Sequence, residues 1–211
     1  MGFFKRQSVS ASPQRARADE TVIVGDEDLA ACASALGKME EALLGGSDPG
    51  IRSSAREIAW AGGIRPQGDF MRWLLEIKMK DPDARPTDRP WWWLAAVADE
   101  AIKRGDPRLA GRIGFFLHGW HEWVAPKMTL ADEPECGGIK IIPREAYAKG
   151  LGLAVTALAP LPDEEMIVQT SEKFVPASAL RVTLAGAVLK LEQSGVAVDP
   201  GARAAALQVA T

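Results

Sequence analysis

The chain has 211 residues, 47% of them hydrophobic and 25% charged. That balance suits one globular domain and excludes a collagen-like chain, a disulfide scaffold or a wholly disordered protein. A formal net charge of −3 supplies no global field for nucleic acid or an acidic membrane surface.

Residues 1–20 read as a basic, Ser-containing leader, flexible or docked on a partner, ahead of a single helical domain over 21–211. Lys5, Arg6, Arg15 and Arg17 carry its charge, opposed by Asp19 and Glu20. The stretch lacks helical or strand periodicity, and Phe3 and Phe4 have no core to enter, which makes docking the sharper expectation. The start MGFFKR lacks the apolar core of a secretory signal. No run approaches the ~18 apolar residues of a membrane span. Cys32 and Cys136 are too few for a disulfide framework. The expected location is the cytoplasm, or a particle assembled there.

From residue 26 the periodicity is helical. Leu29, Cys32, Leu36, Met39 and Leu43 form an a/d stripe, with Asp26 placed to cap it and Gly45-Gly46 to end it. Asp48-Pro49 opens a second helix lined by Ile51, Ala55, Ile58 and Ala59. Phe70, Trp73, Leu74 and Ile77 are spaced as one apolar face. A loop with Pro82, Pro86 and Pro90 follows. A fourth helix spans about Trp91 to Arg104. Asp106-Pro107 opens a fifth with the stripe Leu109, Ile113, Phe116, Leu117, Trp120 and Val124.

The helical pattern breaks over 128–142, where two short apolar runs flank Asp132, Glu133 and Glu135; a small β-hairpin or an ordered loop fits. Pro143 reopens a helix through Tyr147, Leu151, Val155 and Leu158, in which Gly150 and Gly152 admit a bend or a close neighbour. Asp163–Lys173 reads as a short helix with its acidic run at the positive end. Leu180, Leu184, Val188 and Leu191 mark the next helix, and Asp199-Pro200 opens an Ala-rich last one. The fold class is therefore all-α: an irregular bundle of about seven to nine helices with at most one small hairpin near 128–142. Asp-Pro recurs as a helix opener at residues 48, 106 and 199, intervals that fit no fixed repeat.

Nothing converges on catalysis. There is no nucleophile elbow, phosphate loop or dinucleotide fingerprint, and no cofactor is implied. His118, His121 and Glu122 are the metal candidates, since an i, i+3 His pair with a nearby carboxylate has ligand chemistry. Helical-wheel arithmetic opposes it: His118 and Glu122 each lie ~160° from the stripe centre at Trp120, and His121 ~100° away. An exposed His–Glu pair is the expectation.

Half of the fourteen aromatic residues are Trp, and three of these are consecutive. On a helix Trp91, Trp92 and Trp93 span ~200°, more than one core face hides. Phe115 likewise points off the stripe of its own helix. Together with Phe3 and Phe4 these residues are the interface candidates, because Trp is enriched in binding hot spots. The functional expectation is a non-catalytic helical interaction or assembly subunit: an adaptor, a scaffold, or a component of a larger particle such as a phage-like assembly. Its partners would be other protein chains, a second copy included. The alternatives are a small-molecule binder or enzyme with an aromatic pocket between helices, and a nucleic-acid accessory protein using the leader.

Overall fold

A computed structural model describes residues 23–46, 50, 54, 57, 58, 89–124 and 144–210, with the backbone alone at 89, 90, 123 and 124. Among them are six α-helices, one π-helical turn and one two-stranded antiparallel hairpin. The helices are α1 (Asp26–Gly45), α2 (Arg89–Lys103), α3 (Pro107–Gly119), α4 (Arg144–Leu158), α5 (Ala177–Gln193) and α6 (Pro200–Ala210). The hairpin pairs β1 (Met166–Gln169) with β2 (Phe174–Pro176). The leader, the face from Phe70 to Ile77 and residues 128–142 lie outside the described residues. The helix expected after Asp48-Pro49 is described at Gly50, Ser54, Glu57 and Ile58, each helical.

Local chemistry accounts for the helix ends. Asp106 accepts from the Leu109 N–H at 3.1 Å with Pro107 as the first helical residue, and Asp199 accepts from Ala202 N–H at 3.0 Å ahead of Pro200. Both are N-caps of the kind their sequences predict. At α1 the cap differs from expectation. Gly25 takes the cap position, and its N–H donates to the Asp28 carboxylate at 2.9 Å, while Asp26 is already helical. The other Asp28 oxygen accepts from Trp93 Nε1 at 3.1 Å, so one side chain both closes α1 and ties it to α2. Gly46, Gly105 and Gly195 adopt positive φ at or beyond helix C-termini, where a side chain would be strained.

The short helix expected over Asp163–Lys173 is not formed; the segment is a turn followed by the hairpin. Ile167 and Val168 are β-branched, which favours strand. A register shift between Met166 and Val168 lets both of these adjacent side chains point inward, whereas an even pleat would expose one of them. Thr170 closes the loop, its Oγ1 accepting from Lys173 N–H at 2.9 Å. The acidic run serves ion pairs with other elements rather than a helix dipole: Glu165 binds Arg108 and Asp163 binds Arg181. The loop tip reaches α1, where Ser171 N–H donates to Glu41 at 2.9 Å and Lys173 Nζ donates to Leu44 O at 2.6 Å.

Helix α3 lies at the centre. Leu109–Gly111 and Ile113–Leu117 are all buried, and α1, α2, α4, α5 and β1 pack around it. Small residues make this enclosure feasible. A Cβ added at Gly114 would sit 2.5 Å from Ala154 Cβ and 2.7 Å from Leu184 Cδ1. Gly111 faces Ile167 and Leu158 with both at 2.8 Å, and Gly150 of α4 abuts Leu117 in the same way. The close neighbours expected at Gly150 and Gly152 are therefore Leu117 and Ala202.

One charged pair crosses this interior. Arg112 leaves α3 toward α1 and grips Glu40 with two hydrogen bonds, Nε to Oε1 at 2.7 Å and Nη2 to Oε2 at 3.0 Å. Its Nη2 also donates to Ala33 O at 3.0 Å. Glu40 is 3% exposed, and burial pushes its carboxyl above the ordinary carboxylate range despite the guanidinium on it. Burial also pushes the nearby Cys32 thiol far up, so it is inert as a nucleophile.

Two stability outcomes are expected. Gly114→Ala overpacks the α3–α4–α5 contact and should cost about 1–3 kcal/mol in urea unfolding. Glu40→Ala leaves Arg112 without its carboxylate and should cost about 3 kcal/mol, whereas the double replacement Glu40→Met/Arg112→Met should cost much less, because both desolvated charges go together. Equal losses for the single and double variants would show that the pair itself stabilises the fold.

Candidate functional site

Two places on the described residues hold chemistry or surface beyond what packing requires. The first is the end of α3. After Gly119 the helix widens into a π-helical turn, Trp120–Val124. Such i→i+5 winding advances fewer degrees per residue than the α-helix and is frequent at functional sites. His121 and Glu122 become partners, Nδ1 to Oε1 at 3.0 Å, and the His121 ring stacks on Tyr147 of α4 with centroids 4.7 Å apart. The His121 contact holds the Glu122 carboxyl below its ordinary range, with Lys190 and His118 adding positive charge nearby. The 100° wheel puts Glu122 on the face of His118, and the two do act on one another's charge, while the Glu122 carboxylate also meets His121. Among the described residues no three His, Cys, Asp or Glu side chains gather where they could hold a metal, so His118, His121 and Glu122 form no ligand set.

Behind this turn lies an aromatic cluster. Trp91 stacks on Phe116 at 6.0 Å, and Trp120 is tilted against both. Trp91 and Trp120 are fully buried, Trp93 and Phe115 nearly so. The three tryptophans fit because α2 is packed on more than one side: Trp91 meets α3, Trp93 meets Asp28 of α1, and Trp92 is half-buried under Lys149 Nζ of α4, 5.8 Å from its ring. Phe115 is inside because α3 has neighbours all round. Of the interface candidates in the described residues, Trp92 alone keeps a partly open face. Phe3, Phe4, Lys5, Arg6, Arg15 and Arg17 lie outside the described residues. Among the described residues the indole N–H groups of Trp91 and Trp120 and the Tyr147 hydroxyl are buried and find no hydrogen-bond partner, an unusual concentration of such atoms for a core.

The second place is the hairpin. Phe174 is 62% exposed and Met166 39%, and with Pro176 they line an open groove of about 390 Å³ bounded by Asp163, Glu164 and Ser178. This groove was missed in the sequence because Asp163–Lys173 reads as a helix there. The signal that could have found it is the pair of β-favouring runs Met166–Val168 and Phe174–Pro176 around a polar Thr-Ser-Glu-Lys turn.

No family model, curated protein or solved structure matches this chain. Among the described residues no helix is long and apolar enough to cross a membrane.

His118 gives this region a pH signature. It is half-buried on α3, and burial holds its imidazole below the ordinary value against the upward pull of Glu122. The folded chain thus binds this proton less readily than the unfolded one. The stability it contributes is present above about pH 6.5 and is lost as pH falls through the lowered folded value. His118→Gln should flatten the decline in urea stability on the acid side of neutrality; identical pH slopes in wild type and variant would contradict this.

Proposed function

We propose that this chain is a non-catalytic helical interaction or assembly subunit that docks other protein chains through the hairpin groove. The observation that carries the reading is the exposure of Phe174 beside Met166 in a shallow, open groove. Single exposed apolar residues are ordinary, but two large ones side by side in a groove mark a contact site. The rim is acidic at Asp163 and Glu164, so the favoured occupant presents an apolar side chain followed by cations. The hairpin is held at its tip by Glu41 and Leu44 and at its base by the Arg108–Glu165 pair. A surface anchored at both ends is ready to bind with little ordering cost. A larger assembly built from such contacts fits the same reading.

A second reading, a small-molecule binder or enzyme with an aromatic pocket between helices, is supported by the unmet donors of Trp91, Trp120 and Tyr147 beside His121 and Glu122. The first is favoured because its groove is open to a partner, whereas those donors are enclosed.

The test is the double substitution Phe174→Ser/Met166→Ser. Both side chains are exposed, so helicity and unfolding midpoint should stay near wild type. Association with other chains, read as concentration-dependent mass by light scattering, should fall toward the 22.6 kDa monomer. Equal masses for wild type and variant at every concentration would overturn the groove as the docking face.

A further inference from the structure

The groove asks for a short segment with bulky apolar side chains followed by positive charge, and the chain carries one such segment at its own start: Phe3, Phe4, Lys5 and Arg6. We infer that residues 3–6 of the same chain occupy the hairpin groove, the two Phe rings against Met166, Phe174 and Pro176 and the two cations against Asp163 and Glu164. The inference rests on the docking role proposed for the groove and adds its resident occupant, which an incoming chain must displace.

Three observations support it. The first is complementarity of kind. The groove floor is apolar and its rim carries carboxylates, Asp163 being 79% exposed even with Arg181 on it, while the leader pairs two aromatic rings with two adjacent cations. The second is reach. The described chain starts at Ile23, 93% exposed, and Arg6 stands seventeen residues before it, a span of up to about 56 Å when extended. The third is the path from α1 to the groove. Asp26 pairs with Arg104, and Arg108, one turn further on, pairs with Glu165 next to the groove. Two ion pairs and four residues of backbone separate the start of α1 from the rim, no more than about 40 Å. A segment tethered at that distance has a local concentration on the order of 1 mM, so it outcompetes the leader of a second copy present at micromolar levels.

Met166 reports the occupant directly. Its thioether is partly exposed in the open groove, whereas Met39 is fully buried and serves as an internal control. Trypsin releases Met166 on the peptide 150–173, which holds no other methionine. The full chain at low micromolar concentration is treated with hydrogen peroxide, and sulfoxide formation at Met166 is followed by mass spectrometry. A contact with a dissociation constant near 0.1 mM against a ~1 mM local concentration closes the groove about nine-tenths of the time, so Phe3→Ser/Phe4→Ser in the full chain should raise the oxidation rate about tenfold. Lys5→Glu/Arg6→Glu should raise it as well, and added salt should do the same for the wild type. Unchanged rates in both variants would overturn the inference. So would protection that grows with protein concentration, since the occupant would then be the leader of another copy. Faster oxidation at Met39 as well would mean general unfolding, and the lone exchange Phe4→Ser then repeats the measurement with Met39 silent. The two readings separate cleanly. Failure of Phe174→Ser/Met166→Ser to change association removes docking of other chains and leaves the Met166 protection as it was measured.

Discussion

Most of the elements described in this chain are positioned by a helix that has almost no face for water. Helix α3 is enclosed by α1, α2, α4, α5 and β1, and an enclosed helix can be approached from several directions only where its side chains are small. Gly111 and Gly114 supply that closeness toward β1, α4 and α5, and Gly150 returns it from α4. Dispersion between atoms at contact distance is small per pair and large in sum. A glycine on each side of one interface therefore sets the spacing of the whole assembly. The exception to the apolar rule, Arg112, is satisfied by two bonds to Glu40 and one to Ala33. Such a pair contributes little net stability over a well-packed apolar replacement.

The enclosure of α3 also explains what the sequence did and did not reveal. The helix starts at Asp106-Pro107 and Asp199-Pro200 were legible because capping is local chemistry, settled within four residues. The stripe Cys32, Leu36 and Met39 was legible because one face of α1 turns inward. Trp91, Trp93 and Phe115 were harder. A one-face model leaves them over as surplus, and the number of neighbours a helix will have is a tertiary property that periodicity does not encode. Residues 163–173 show the opposite failure. An acidic run before Met166-Ile167-Val168 reads as a helix start, yet those carboxylates answer to Arg108 and Arg181, which lie far away in sequence. The π-helical turn that begins at Trp120 is a change of pitch that a fixed 100° step cannot anticipate.

Among the described residues the most exposed aromatic ring lies on the hairpin, at Phe174, rather than among the tryptophans. Aromatic surplus in a composition suggests sticky surface, but here most of it is consumed in the joint between α2, α3 and α4. What remains outward is smaller and better defined: Phe174, Met166 and a carboxylate rim on a strand pair braced at tip and base. The π-helical turn belongs to the same region of α3 and α4 as the unmet indole and phenol donors, and it gives that side of the molecule polar character without assembling a metal site among the described residues.

The bonds from Ser171 and Lys173 to α1 join residues about 130 positions apart, whereas α4, the hairpin, α5 and α6 close on one another within a stretch of 67 residues. Local contacts form early and distant ones await the closure of a long loop. As the chain leaves the ribosome, α1 can meet α2 through Asp28 and Trp93 and α3 through Glu40 and Arg112, whereas the carbonyl of Leu44 lacks its lysine until the hairpin is synthesised. The C-terminal stretch can begin to collapse as soon as it emerges. Among the described contacts of α1, those to the hairpin tip span more sequence than those to Trp93 and Arg112, so the tip is where the helix is joined to the C-terminal stretch.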